Sequence, residues 1–145
     1  LWTNPRWLAV CDIKRPRTGL EVKFSYNWLA GMTLRGDDTG DDRLFTDSMA
    51  GDSDLGRFAE RISVKGDDEL TDLQARGEIS FTDGRVIPVW FDLADRLAPE
   101  VLAEKLHRKS STIIGDAGAA IWDLHPRLGQ LGARDIASAM LAAST

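Results

Sequence analysis

The spacing of hydrophobic residues follows two patterns, one typical of strands and one typical of helices. Residues 7–13 form a short apolar run that stops just before Pro16, and this length and boundary favour a strand. From Ser25 onward, apolar residues recur every three or four positions, and serine is a preferred residue at a helix N-cap. The pattern therefore predicts a strand at 7–13 and a helix that starts at Ser25 and ends near Gly36.

The middle of the chain predicts a β-hairpin. Residues 74–81 and 85–91 have the pattern of strands, and they flank an Asp83-Gly84 turn. Asp-Gly between two such runs is a strong hairpin signal. Pro88 has no N–H for a sheet ladder, so we expect its strand to lie at an edge or to be locally distorted. A further strand is indicated at 61–65, where apolar and polar residues alternate.

Helices are predicted before and after this sheet. A short helix is expected at 54–60, a longer one starts at Pro99, and two more are plausible at 117–124 and 133–142. Residues 143–145 are expected to fray. Because the strands are grouped and do not alternate with helices, we expect an α+β fold. The predicted form is a two-layer single domain, residues 1–145, with an antiparallel sheet of about four strands and helices packed on one face.

Composition and charge narrow the classes of partner. The chain is 43% hydrophobic and 28% charged, as is usual for soluble globular proteins. Its net charge of −5 argues against general binding to nucleic acid or anionic lipid, and the basic group Lys14, Arg15 and Arg17 is more typical of a solvated face. No apolar run reaches the roughly 18–20 residues that span a bilayer. We therefore expect neither a nucleic acid nor a membrane as partner.

No metal or organic cofactor is predicted. Cys11 is the only cysteine, so no internal disulfide and no cysteine-built metal centre can form, and a reducing cytoplasm is the expected compartment. His107 and His125 are too few and too far apart in sequence to indicate a metal site. The acidic groups at 37–42 and 67–69 lack the ligand spacing of a calcium loop.

One stretch, residues 19–26, could carry binding chemistry. It places the cation of Lys23, the ring of Phe24 and the hydroxyl of Ser25 where a loop is expected to enter a helix. Backbone N–H groups at a helix N-terminus attract anions, so this corner could hold a carboxylate. In the purely structural interpretation, Ser25 caps the helix, Lys23 faces solvent and Phe24 packs. Spacing alone favours that second interpretation.

The same stretch resembles a known family. Residues 18–25 are Thr-Gly-Leu-Glu-Val-Lys-Phe-Ser, and a helix with Leu29-Ala30 and an exit at Gly36-Asp37 follows. This order resembles the start of the C-terminal domain in MmgE/PrpD proteins. The similarity extends over residues 7–140. It includes the following features in the family's order: a loop with Phe45, Arg61-Ile62-Ser63-Val64, Asp83-Gly84, and a helix with Lys105.

The resemblance implies a two-domain enzyme of which this chain is the smaller part, and a first residue that is leucine fits a fragment. In that family a large helical N-terminal domain carries most catalytic groups, and the C-terminal domain closes over the substrate as a lid. The implied activity is a cofactor-independent lyase or isomerase for small di- or tricarboxylates, with a hydro-lyase like 2-methylcitrate dehydratase as the first expectation. Dehydration, decarboxylation and epimerisation all stay open. The chain by itself is expected to hold no catalytic residue and to be inactive.

The resemblance also implies substrate-binding residues and partners. Five positions are carried over to the substrate site: Lys23, Phe24, Ser25, Tyr26 and Trp28. In some relatives an aromatic hydroxyl from the helix after the motif reaches the substrate, and the match is Trp28, or Tyr26 if the register differs by two. The expected partners are a small carboxylic acid and the N-terminal helical domain. A homo-oligomer is expected as well, because a domain cut from its neighbour should expose apolar area.

A second hypothesis comes from a different class. The chain could be a stand-alone α+β domain that binds a ligand, regulates a partner or serves only for oligomerisation. Five tryptophans in 145 residues support such an interface, because exposed aromatic patches mark contact surfaces, whereas the plainer interpretation is a tryptophan-rich core.

Overall fold

The computed structural model describes residues 1–142, apart from the side chain of Ala120, so the expectation for residues 143–145 lies outside the described residues. Contacts group the chain into two compact units. The first comprises Leu1–Thr39 and Arg43–Arg96, and the second comprises Gly40–Asp42 and the segment from Leu97 onward. The α+β class is confirmed.

The first unit contains a four-stranded sheet in the order β2-β1-β3-β4. Its strands are β1 (Trp2–Thr3), β2 (Lys65–Gly66), β3 (Gln74–Ser80) and β4 (Val86–Asp92). Strand β1 pairs in parallel with β2 and antiparallel with β3. The sheet is therefore mixed, and the prediction of a purely antiparallel sheet is wrong in this respect. The reason is β1, which enters the sheet between two later strands.

The predicted β-hairpin is confirmed. Strands β3 and β4 pair over their full length, from Gln74 opposite Asp92 to Ser80 opposite Val86. The turn uses Gly84 at φ 87°, a left-handed conformation that glycine adopts without steric cost. Strand β4 lies at the sheet edge, as the position of Pro88 predicts.

The strand predicted at 7–13 is wrong. A 3₁₀ turn, Pro5–Trp7, leads into a short helix α1 (Leu8–Cys11), and only Asp12 forms an isolated bridge, with Ser25. The side chain of Asn4 accepts a hydrogen bond from the N–H of Arg6 and so starts the turn. A short apolar run is compatible with a strand or a helix, and here the hydrogen bond at Asn4 favours the helical conformation.

Four further helices belong to the first unit: α2 (Gly19–Lys23), α3 (Tyr26–Arg35), α4 (Asp47–Ala50) and α5 (Ser53–Ala59). The predictions of α3 and α5 are confirmed, and α3 ends at Gly36 with φ 95°. The predicted strand at 61–65 is reduced to β2. Helix α2 was not predicted, because a single helical turn leaves too few residues to show a period.

The core of the first unit lies where α2, α3 and α5 meet. Its fully or nearly fully buried apolar residues are Val22, Trp28, Met32, Leu55 and Ala59. This core fixes the start of α3, and hence the end of the motif at residues 18–25, relative to α5.

The second unit is helical, with α6 (Pro99–Ile114), α7 (Asp116–Trp122), a 3₁₀ segment His125–Gln130 and α8 (Ala133–Ala142). These helices agree with the sequence pattern, and Pro99 occupies the first turn of α6. The rings of both histidines flank Trp122, with centroids 5.3 Å away for His107 and 5.6 Å for His125. Within residues 1–142, no helix has the length and apolar character needed to cross a bilayer.

Candidate carboxylate site

Close contacts with the segment 45–47 hold the start of α2 in place. The side chain of Thr18 accepts a hydrogen bond from the N–H of Glu21 at 3.2 Å. The N–H of Gly19 donates to Asp47 Oδ1 at 2.9 Å. A Cβ on Gly19 would lie only 2.0 Å from the carbonyl oxygen of Phe45, so no larger residue fits without moving the backbone. The first N–H groups of this helix therefore already serve protein acceptors.

Lys23, the last residue of α2, is the exposed cation of the motif. Its ammonium nitrogen lies 5.0 Å from the centre of the Phe45 ring, within the range of a cation–π contact. Within residues 1–142, no carboxylate lies within ion-pair distance of this ammonium group. The positive charge is therefore held in position by a ring and stays accessible to an anion from solution.

Phe24 lies beside Lys23 at the surface, with 39% of its area exposed. Its carbonyl oxygen accepts a hydrogen bond from the N–H of Ile13 at 3.2 Å. This bond ties the end of α2 to the segment after α1, while the ring remains available for a contact outside the chain.

Ser25 lies inside the protein, with no exposed area. Its hydroxyl oxygen is 2.5 Å from the carbonyl oxygen of Ile13 and 2.7 Å from Asn27 Oδ1. It occupies the N-cap position of α3 as predicted, yet its side chain makes no capping bond to that helix. In this structure the hydroxyl connects two segments of the protein and presents no surface to a ligand.

Tyr26 is half-buried at the start of α3. Burial, the largest cause, raises the pKa of its phenol above the ordinary value, while the side chain of Thr3 lowers that pKa and the side chain of Cys11 raises it. The neutral phenol is thus the form that the folded protein favours. Cys11 is half-buried as well.

Trp28 is a core residue, only 5% exposed. Its ring packs over Gly56, where a Cβ would lie 3.5 Å from the Trp28 ring carbon Cζ2. The five positions expected at the substrate site are therefore not brought to one surface. Lys23 and Phe24 are exposed, Tyr26 is half-buried, and Ser25 and Trp28 face the interior.

A cavity next to Phe45 was not anticipated from the sequence. It has a volume of about 480 Å³ and opens on the surface. Its lining residues are Arg43, Leu44, Thr46, Ser48, Met49, Gly51 and Asp52. The side chain of Thr46 accepts a hydrogen bond from the N–H of Met49 at 3.2 Å, which forms the turn on one side of the cavity. The available signal was this Thr-x-x-Met capping pattern within a segment that otherwise resembled a loop.

One wall of this cavity contains Asp52, whose carboxylate is held by hydrogen bonds and an ion pair. Asp52 accepts hydrogen bonds from the N–H groups of Asp54 and Leu55 and pairs with Arg35 at 2.6 Å. The Leu55 backbone bond and the Arg35 guanidinium together hold the pKa of Asp52 below its usual range. The carboxylate is thus occupied by protein donors. In the part of the chain that the structure describes, no cluster of three or more His, Cys, Asp or Glu could hold a metal ion.

Comparison with known proteins gives no relative for this chain. No protein-family model, no curated protein and no solved structure matches it. The similarity to MmgE/PrpD proteins therefore depends on the order of residues alone and stays a prediction.

Proposed function

We propose that this chain is the small C-terminal domain of an MmgE/PrpD-type lyase or isomerase. The whole enzyme would act in the cytoplasm, without a cofactor, on small di- or tricarboxylates, in the manner of 2-methylcitrate dehydratase. One observation carries the proposal: the motif at residues 18–25 contains an exposed lysine, Lys23, that has an aromatic support and no carboxylate partner among the described residues.

The chemistry of such an enzyme explains why this lysine matters. Abstraction of a proton next to a carboxylate develops enolate-like negative charge, and a fixed cation near that charge lowers the barrier. Phe45 and the tight Gly19 contact hold the backbone that carries Lys23. A preorganised cation costs less reorganisation at the moment of reaction than one that must first be ordered. We assign Lys23 a contact with the substrate carboxylate, and Phe24 a place at the edge of the same site.

The general base is assigned to the larger domain that the resemblance implies. The expected result is that the purified chain turns over neither 2-methylcitrate nor cis-aconitate. The measurement is a direct assay of both acids with wild-type chain and a Lys23→Ala variant. Turnover that follows the purified chain through its preparation and disappears in the variant contradicts the assignment of the base to another domain.

The second candidate function is a stand-alone binding or oligomerisation domain. The observation that favours it is strand β4, whose apolar residues are exposed along the sheet edge. The coding sequence upstream of Leu1 separates the two candidates. A large helical domain encoded there supports the lyase, and a start codon at or just before Leu1 supports the stand-alone domain.

A further inference from the structure

Two residues at the start of α3, Ser25 and Asn27, are polar and buried. Ser25 has no exposed area, and Asn27 is only 4% exposed. Buried polar groups are normally hydrogen-bonded, because an unpaired group loses its contacts with water and gains nothing in return. The Ser25 hydroxyl oxygen lies 2.5 Å from the carbonyl oxygen of Ile13 and 2.7 Å from the side-chain amide of Asn27. One hydroxyl group thus links these three residues.

The Ser25 hydroxyl has a single proton and can donate only one hydrogen bond. The carbonyl of Ile13 is an acceptor only, and two oxygens 2.5 Å apart repel each other unless a proton lies between them. Ser25 therefore donates to Ile13. The amide of Asn27 must then supply the proton of the 2.7 Å contact, which requires its NH2 group to face Ser25. The nitrogen and oxygen of an amide are nearly alike in shape, so the hydrogen-bond network decides this orientation.

The other end of the Asn27 amide lies 3.5 Å from the carbonyl oxygen of Ala59. This distance is at the outer limit of a hydrogen bond, whereas 2.7 Å is an ordinary distance for a bond to a hydroxyl group. The carbonyl of Ala59 also has a closer donor, because it accepts the N–H of Ile62 at 3.0 Å. The short contact at Ser25 therefore determines which way the amide is turned.

The acceptor at Ile13 belongs to a segment that crosses the end of α2. The N–H of Ile13 donates to the carbonyl oxygen of Phe24 at 3.2 Å, and Asp12 pairs with Ser25 in an isolated antiparallel bridge. Only Phe24 and Ser25 separate Lys23, the last residue of α2, from the first residue of α3. A fixed crossing therefore fixes the backbone between the two helices and, with it, the position of Lys23.

We propose that Asn27 and Ser25 are positioning residues for Lys23. The NH2 group of Asn27 donates to the Ser25 hydroxyl, and that hydroxyl donates to the carbonyl of Ile13; we call this chain of hydrogen bonds the buried relay. From the interior, the buried relay holds the end of α2 so that the ammonium group of Lys23 stays 5.0 Å from the centre of the Phe45 ring. Its consequence for ligand binding rests on the proposed function, whereas the position of Lys23 does not.

NMR spectroscopy of the intact chain can observe the Lys23 side chain directly. Protons above an aromatic ring resonate upfield, and within residues 1–142 no other lysine ammonium lies over a ring. We expect the ε-CH2 resonance of Lys23, identified by its absence in Lys23→Arg, to lie upfield of the other lysines. Ser25→Ala removes the donor to Ile13, and Asn27→Asp keeps the shape of the side chain without its donor. Both variants should lose most of the upfield displacement.

The matched control is Leu55→Val. Leu55 is a core residue that is 1% exposed, and its truncation lowers stability without touching the buried relay. The Lys23 resonance should stay where it is in wild type, because a loss of stability alone does not displace a side chain in the folded chain. Circular dichroism of each variant shows whether it is folded.

Two outcomes overturn the proposal. One is a Lys23 resonance that stays upfield in the folded Ser25→Ala and Asn27→Asp variants, and the other is a displacement in Leu55→Val as large as that in Ser25→Ala. A measurement on wild type covers the case in which neither relay variant folds. The side-chain amide protons of Asn27 should show stronger nuclear Overhauser effects to Ser25 than to Ala59, and the reverse order contradicts the buried relay.

Titration of the same samples with citrate tests the proposed function separately. Loss of the buried relay should raise the citrate dissociation constant about three- to tenfold, because a cation that is not already held must be ordered on binding. A wild-type chain that binds no citrate but shows the upfield Lys23 resonance and its loss in the relay variants contradicts the proposed function and supports the buried relay. Equal citrate binding in all chains, with an unmoved Lys23 resonance, contradicts the buried relay alone.

Discussion

The ammonium nitrogen of Lys23 lies 5.0 Å from the centre of the Phe45 ring. Phe45 in turn contacts Gly19, at the opposite end of the helix that carries Lys23. The two ends of α2 are thus fixed by one neighbouring segment. Gly19 allows the backbone of α2 to approach the backbone of Phe45 closely, and the Phe45 ring contacts the ammonium group of Lys23.

Replacement of Gly19 by alanine should destabilise the first unit and displace Lys23. An added methyl group would lie 2.0 Å from the carbonyl oxygen of Phe45 and 2.8 Å from the carbonyl carbon of Thr46, and backbone atoms cannot move aside cheaply. We expect a loss of about 2–3 kcal/mol in the free energy of unfolding, measured by urea denaturation.

Gly51 provides the matched control for this variant. A Cβ at Gly51 meets its nearest atom, the carbonyl oxygen of Ser48, at 3.5 Å, an ordinary van der Waals distance. Gly51→Ala should therefore change the free energy of unfolding by less than about 1 kcal/mol. Equal losses in the two variants would contradict the close approach of Gly19 and Phe45.

Tyr26 can be titrated directly, because it is the only tyrosine in the chain. Burial raises its pKa, and the folded state thus keeps a proton that the unfolded state has released. The free energy of unfolding should therefore be unaffected by Tyr26 below the ordinary tyrosine pKa of about 10, and it should fall as the pH rises above that value. Phenolate absorbance should show a midpoint above about 10 in the folded chain.

Two substitutions around Tyr26 should move this midpoint in opposite directions. The side chain of Thr3 lowers the pKa, so Thr3→Val should raise the midpoint further. The side chain of Cys11 raises the pKa, through its charge and through hydrogen bonding, so Cys11→Ala should lower the midpoint. Shifts of the same sign in both variants would show that Tyr26 does not lie between these two side chains.

Pro88 should protect the free edge of β4 from pairing. Pro88→Val restores an N–H that points away from β3, and it adds a residue of high strand propensity. We expect faster aggregation than in wild type at equal concentration, followed by light scattering. Pro99→Ala adds an N–H in the first turn of α6 and serves as control. If both variants aggregate at the same rate, the edge position of Pro88 has no protective role.

Several elements were predictable because their signals are local. The Asp83-Gly84 turn, the edge strand with Pro88 and the helix that begins at Pro99 each depend on one or two residues with distinctive backbone preferences: glycine accepts a positive φ, and proline has a fixed φ and no N–H. The prediction of a strand at residues 7–13 was wrong because a short apolar run lacks such a signal. The strand that enters the sheet, Trp2–Thr3, is only two residues long, and long-range pairing with β2 and β3 defines it.

The candidate site shows the same limit. The sequence pointed to the cation of Lys23, and the structure leaves that cation exposed. The sequence did not indicate that Ser25 and Trp28 face inward, because burial of a serine depends on an acceptor brought from Ile13 and burial of Trp28 depends on α5. Which face of α3 is covered is decided by these distant partners, and the spacing of residues 25–28 alone is compatible with either face.

The thermal midpoint of the chain, measured with and without a citrate-like acid, tests whether Lys23 binds a carboxylate. A ligand that binds only the folded state must raise the midpoint, and at ten times its dissociation constant the gain is about 1.4 kcal/mol. For a chain of this size that corresponds to a rise of about 3 °C or more. Lys65→Ala removes another exposed lysine of the first unit and controls for the change in net charge.

We expect millimolar citrate to raise the midpoint of wild type and of Lys65→Ala, and we expect no rise in Lys23→Ala. An equal rise in all three chains would place the acid elsewhere. No rise in wild type would contradict a carboxylate contact by Lys23 in this domain.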